Sequence, residues 1–72
     1  MIRKGTEVEW SWGNGTASGK VKETFAKEVT RTLQGSEITK KGSDDDHALL
    51  IEQDDGDEVL KLQSEVKRKD RP

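Results

Sequence analysis

Residues 7–25, EVEWSWGNGTASGKVKETF, decide the fold. Glu7 to Trp12 alternates polar and apolar at period two, the pattern of a half-buried strand. Val8, Trp10 and Trp12 fall on one face and Glu7, Glu9 and Ser11 on the other. The glycines that follow break the strand, and Asn14-Gly15 is a turn dipeptide because both residues tolerate positive φ. From Ala17 onward the odd positions give Ala17, Gly19, Val21 and Phe25, and the even ones Ser18, Lys20, Lys22 and Thr24. That is a second strand, small near its start, where a bulky side chain such as a tryptophan is expected to cross closely. Gly13, Gly15 and Gly19 resemble a dinucleotide fingerprint, but the spacing is one residue too long. A strand, not a helix, follows, so no helix N-terminus is there to hold a phosphate. The glycines are read as a corner.

Working outward, Val29 to Leu33 alternates again, Gln34-Gly35-Ser36 turns, and Glu37 to Lys40 returns, with Leu33 and Ile38 expected as cross-strand neighbours. Gly42 to His47 has no period and reads as a loop. Ala48 to Gln53 is a more continuous apolar strand, expected to be central, and Asp54-Asp55-Gly56-Asp57 turns it into Glu58–Leu62. Ser64 to Val66 forms a closing turn. No stretch of ten residues carries a helical period. The expectation is all-β: a small antiparallel barrel of five or six short strands, closed so that no edge is exposed. It is one domain over residues 1–66, followed by a disordered basic tail, 67–72.

Composition agrees. The 72 residues are 28% hydrophobic and 39% charged, with a net charge of −2, so order rests on well-placed apolar residues rather than many. There is no cysteine, hence no disulfide framework or thiolate metal site. A domain this small without staples is expected to be stable by roughly 3–5 kcal/mol. No apolar run approaches the ~20 residues of a membrane span, and the start lacks the apolar stretch of a signal peptide. A cytoplasmic, monomeric protein without membrane contact is expected.

Lys4-Gly5 followed by Val8 and Trp10, the Trp12-Gly13 turn, Gly19 and Val21 resemble the opening of an SH3-like or Tudor-like barrel. Farther on, VTRTLQGSEITKK (29–41) and LIEQDDGDEVLKLQSEV (50–66) resemble the small hypervirulence-associated Tudor-like family of bacteria and fungi. The resemblance runs from Lys4 to about Val66. It implies a strongly bent five-stranded barrel and leaves the biochemical activity open, since a fold does not fix a function.

Tudor-type readers hold a methylated ammonium in a box of three or four aromatic rings by cation–π attraction. This chain has three aromatics, and the interior claims Trp10 and Phe25, so a complete cage is not expected. Trp12, beside the turn at Asn14, is left as an anchor for a protein or peptide partner. The acidic loops Asp44–His47 and Asp54–Glu58 lack the alternate spacing of calcium ligands, and one histidine offers no zinc pair. Neither metal nor cofactor is expected. No serine or threonine has a base-and-orienter context, so catalysis is not expected either. The competing reading is weak, charge-driven nucleic-acid binding across Lys20, Lys22 and Arg31, diluted by interleaved glutamates.

Overall fold

A computed structural model of the chain describes residues 2–33 and 35–69, the side chain of Trp12 excepted. Among the described residues seven strands follow one another: β1 (Glu7–Trp12), β2 (Gly15–Phe25), β3 (Glu28–Leu33), β4 (Ser36–Lys41), β5 (Ala48–Gln53), β6 (Glu58–Leu62) and β7 (Lys67–Arg68). A single 3-10 turn, Gln63–Glu65, separates the last two. All pairing is antiparallel, in a five-stranded sheet of order β6-β5-β2-β1-β7 and a separate hairpin, β3-β4. The hairpin packs its apolar face against β6 and β5, which gives a Tudor-like barrel whose hydrogen-bonded sheet is not closed. Edges expected to vanish therefore remain, on β6, β7 and the hairpin.

Trp12 pairs with Gly15, so the first turn is centred on Gly13-Asn14, one residue earlier than the Asn14-Gly15 dipeptide suggests. Gly13 supplies the positive φ, +52°, that such a tight turn requires. β2 is long enough to pair β1 along its first half and β5 along its second, and a bulge between Val21 and Glu23 bends it. The extra residue reverses the side-chain alternation. Val21 lies opposite Ile51 and Phe25 opposite Ala48, so the two face different sides of the sheet, not one side as strict period two implies. Gly19 is small for a reason other than the one expected. A Cβ there would stand 2.6 Å from the carbonyl oxygen of Glu52 and 2.7 Å from Ile51 Cγ2, so β5, not a tryptophan, crosses it.

β5 is buried on both faces, which explains its unbroken apolar run Ala48-Leu49-Leu50-Ile51. Leu49 and Ile51 join Ile2, Val8, Trp10 and Val21 in the first core cluster, with Ala17, Val59 and Val66 at its margin. Ala48 and Leu50 join Val29 and Leu60 in the second, ringed by Phe25, Leu33, Ile38 and Leu62. Leu33 and Ile38 are diagonal neighbours, Leu33 lying opposite Ser36 and Ile38 opposite Arg31. Ile2 escaped the sequence reading. Gly5 N–H donates to Val21 O at 2.8 Å and Val21 N–H to Thr6 O at 2.9 Å, tying the N-terminal arm to β2 with Ile2 beneath it.

Lys67 to Lys69, expected in a disordered tail, are hydrogen-bonded instead. Lys67 lies opposite Glu9, Arg68 opposite Val8, and Lys69 N–H donates to Glu7 O at 2.9 Å. The rest of that tail, 70–72, lies outside the described residues.

Candidate functional site

The outer edge of β1 is covered by β7 for two residues only, from Val8 to Glu9. Main-chain groups of alternate residues in a strand point to the same side. Because Glu7 O accepts from Lys69, the amides and carbonyls of Glu7, Glu9 and Ser11 all face this edge. β7 has already ended where Ser11 presents its pair, since the chain turns away through Val66, whose N–H donates to Gln63 O at 3.3 Å. A groove of about 280 Å³ opens there, lined by Glu9, Trp10, Ser11 and Thr16 on one side and residues 64–67 on the other.

Trp10 is among the residues that line the groove and is buried, with Lys61 Nζ 5.9 Å from its ring centroid. Among the described residues no buried side-chain nitrogen or oxygen lacks a hydrogen-bond partner.

The far wall is held by polar contacts. The Asp46 carboxylate accepts from Ser64 N–H and Ser64 Oγ, each at 2.8 Å, and Gln63 N–H donates to His47 O at 2.8 Å. Asp46, read from sequence only as part of an acidic loop, is thus the clamp of the 3-10 turn. Glu65 reaches back to accept from Leu62 N–H at 2.8 Å, and Lys40 Nζ of β4 lies 3.2 Å from its carboxylate. Burial alone would push the Glu65 carboxyl up. The Leu62 N–H and the Lys40 ammonium outweigh it and hold the carboxyl below its ordinary range.

Asn14 is exposed at the β1–β2 turn, next to the main chain of Trp12; the Trp12 side chain lies outside the described residues. Lys20 sits on β2 with Glu7 opposite on β1 and Glu52 opposite on β5. Lys22, at the bulge, donates to Glu58 Oε2 at 2.7 Å, and that bond with the glutamate's charge raises the lysine pKa. Arg31 belongs to the other sheet, its guanidinium 5.2 Å from the Phe25 ring centroid. The two lysines share β2 and carboxylate neighbours; Arg31 stands apart from them on the hairpin.

Sequence reasoning missed the groove because it is made by β7 and the 3-10 turn, both short and weakly patterned. One signal was present: Glu7 and Glu9 at period two are complemented by Lys67 and Lys69 at period two.

Among the described residues no helix is long and apolar enough to cross a membrane. No curated protein and no solved structure matches the chain. Residues 5–66 match the family of hypervirulence-associated proteins with a TUDOR domain, and over that span, nearly all of its length, the chain belongs to that family.

Proposed function

We propose that this chain is a non-enzymatic interaction module that takes an extended protein or peptide segment along the edge of β1, with Trp12 and Asn14 at the far end of the site. Tudor-like domains are in general non-catalytic modules that bind proteins or nucleic acids. One observation carries the choice: β1 outruns its edge partner, so the Ser11 amide and carbonyl face a groove of about 280 Å³ that Trp10 helps to line. An added strand satisfies such an edge by main-chain hydrogen bonds and draws specificity from pockets beside it. Nucleic-acid binding through Lys20, Lys22 and Arg31 is the competing reading. It is disfavoured because Lys22 is bonded to Glu58 and Lys20 has a glutamate opposite on each flanking strand.

The test is selection of binders from a displayed library of random decapeptides, followed by titration of enriched peptides into the Ser11→Pro variant. The Ser11 N–H points away from β2, so proline there leaves the β1–β2 hairpin paired while removing the edge donor. Binding weaker by tenfold or more, with an unchanged circular dichroism spectrum, is expected. Equal binding to both proteins sinks the edge. Trp12→Ala with undiminished affinity removes Trp12 from the site.

A further inference from the structure

β7 is the chain's own example of what the β1 edge accepts. Residues opposite each other in an antiparallel pair project to the same face, so Lys67 stands beside Glu9, and Lys69, bonded to Glu7 O, stands beside Glu7. Lys69 also reaches across β1, its Nζ 3.5 Å from Ser18 Oγ. Two glutamates at period two thus lie in register with two lysines at period two on one face of the sheet. We infer that the β1 edge selects a basic extended segment, with lysine or arginine at alternate positions running antiparallel to β1, and that β7 is the resident segment such a ligand displaces. This rests on the reading of the edge given above and adds the chemistry of the partner.

Three features make the exchange favourable. β7 is two residues long and exposed on both, so the segment that must leave is short. Val66, just before it, packs against the first core cluster and keeps the 3-10 turn in place, so the segment released begins at Lys67. An external segment can also go where β7 cannot. It pairs with Glu7 and Glu9 and continues over Ser11, where β7's own chain has turned away. There it meets the Ser11 main chain, Trp10 and the Thr16 side of the groove. A ligand of six residues spans roughly 20 Å, enough to cover β1 from Glu7 to Trp12.

The experiment titrates the full-length, nitrogen-15-labelled chain with three capped hexapeptides: alternating Thr-Lys, alternating Thr-Glu and alternating Thr-Ser. The lysine peptide is expected to shift the amides of Glu7, Glu9 and Ser11 and to release those of Lys67 to Lys69. Its affinity should fall about tenfold in a Glu7→Lys/Glu9→Lys variant and fall as salt is raised, the behaviour of exposed ion pairs. Lys69→Pro removes the N–H given to Glu7 O and should tighten binding severalfold. Lys67→Ala/Lys69→Ala, which leaves the main chain intact, should tighten it by about twofold to fivefold. Equal binding of the serine or glutamate peptide overturns the basic preference and leaves the edge reading standing. Shifts at Glu9 and Ser11 with β7 unmoved overturn the displacement. No binding by any of the three peptides overturns both.

Discussion

The two faces of β5 are both apolar, but they are covered in different ways. On one side Leu49 and Ile51 are 0% exposed, beneath side chains from β1, β2 and the N-terminal arm, all joined by main-chain hydrogen bonds. On the other, Ala48 and Leu50 lie under the β3–β4 hairpin, and Leu50 retains 8% exposure. Among the described residues no main-chain hydrogen bond joins β3 or β4 to the five-stranded sheet. The hairpin is held by Val29, Leu33 and Ile38, by Arg31 over Phe25, and by Lys40 beside Glu65. Its outer face is polar throughout, with Thr30 and Thr39 hydroxyls 2.8 Å apart. The first cluster is therefore the core proper and the second is a cover. A unit held by side chains alone opens at lower free energy than the sheet it covers.

Leu49 and Leu50 allow the largest test, because the same substitution at adjacent positions probes opposite faces. Leu49→Ala should cost about 4 kcal/mol, within the usual range for a buried leucine. That would consume most of the roughly 3–5 kcal/mol expected for a domain of this size, and the variant should be largely unfolded at 25 °C. Leu50→Ala should cost about 2 kcal/mol, because the hairpin can settle into the space. Urea denaturation followed by circular dichroism measures both. Equal losses would mean that the two faces are one cooperative core.

Next is Gly42, where the chain leaves the hairpin for β5. A Cβ there would collide with the carbonyl oxygen of Phe25 and stand 2.7 Å from Ala48 N and 2.9 Å from Lys27 O. All three are main-chain atoms, so relief requires prising the hairpin away from the start of β5. Gly42→Ala should cost about 1–3 kcal/mol. In hydrogen exchange, amides of β3 and β4 should exchange faster in the variant while those of β1 and β2 keep their order. Uniform loss of protection across both sheets would break it.

How far these differences could be read in advance depends on the length of the pattern. Alternation over Glu7–Trp12 and the apolar run Ala48–Ile51 each span a whole strand, so strand type and the inward placement of Val8 and Trp10 were legible. A single inserted residue defeats the same rule. The bulge at Lys22 costs the sequence no visible signal yet turns Phe25 to the other cluster. β7 was lost because two residues carry no period, and the charge match that places it appears only when β1 is laid beside it. Lys20 and Lys22 were legible as surface residues, but their carboxylate neighbours on β5 and β6 depend on register. The groove was the least legible feature, since its walls come from opposite ends of the chain and meet only through the fold.

The smallest expected effect concerns Glu65, which ties the cover to the wall of the groove. Its carboxyl is held below the ordinary range in the folded state, so the stabilisation it brings is present above about pH 4.3, the value for a free glutamate. It is lost as the pH falls through the lower folded value. With 39% of the Glu65 side chain and 26% of Lys40 exposed, solvent screens the pair and the effect should be a few tenths of a kcal/mol. Glu65→Gln keeps an acceptor for Leu62 N–H and removes only the charge. Its stability should be slightly below wild type at pH 7 and converge with it once the pH has fallen far enough to protonate Glu65 in the folded state, measured by urea titration at each pH. The loss at pH 7 should appear first as faster exchange in β4, because Lys40 is the hairpin's ionic contact to the 3-10 turn. If instead the pH dependence survives the substitution unchanged, the acid sensitivity belongs to other carboxylates, and apolar packing alone holds the cover down.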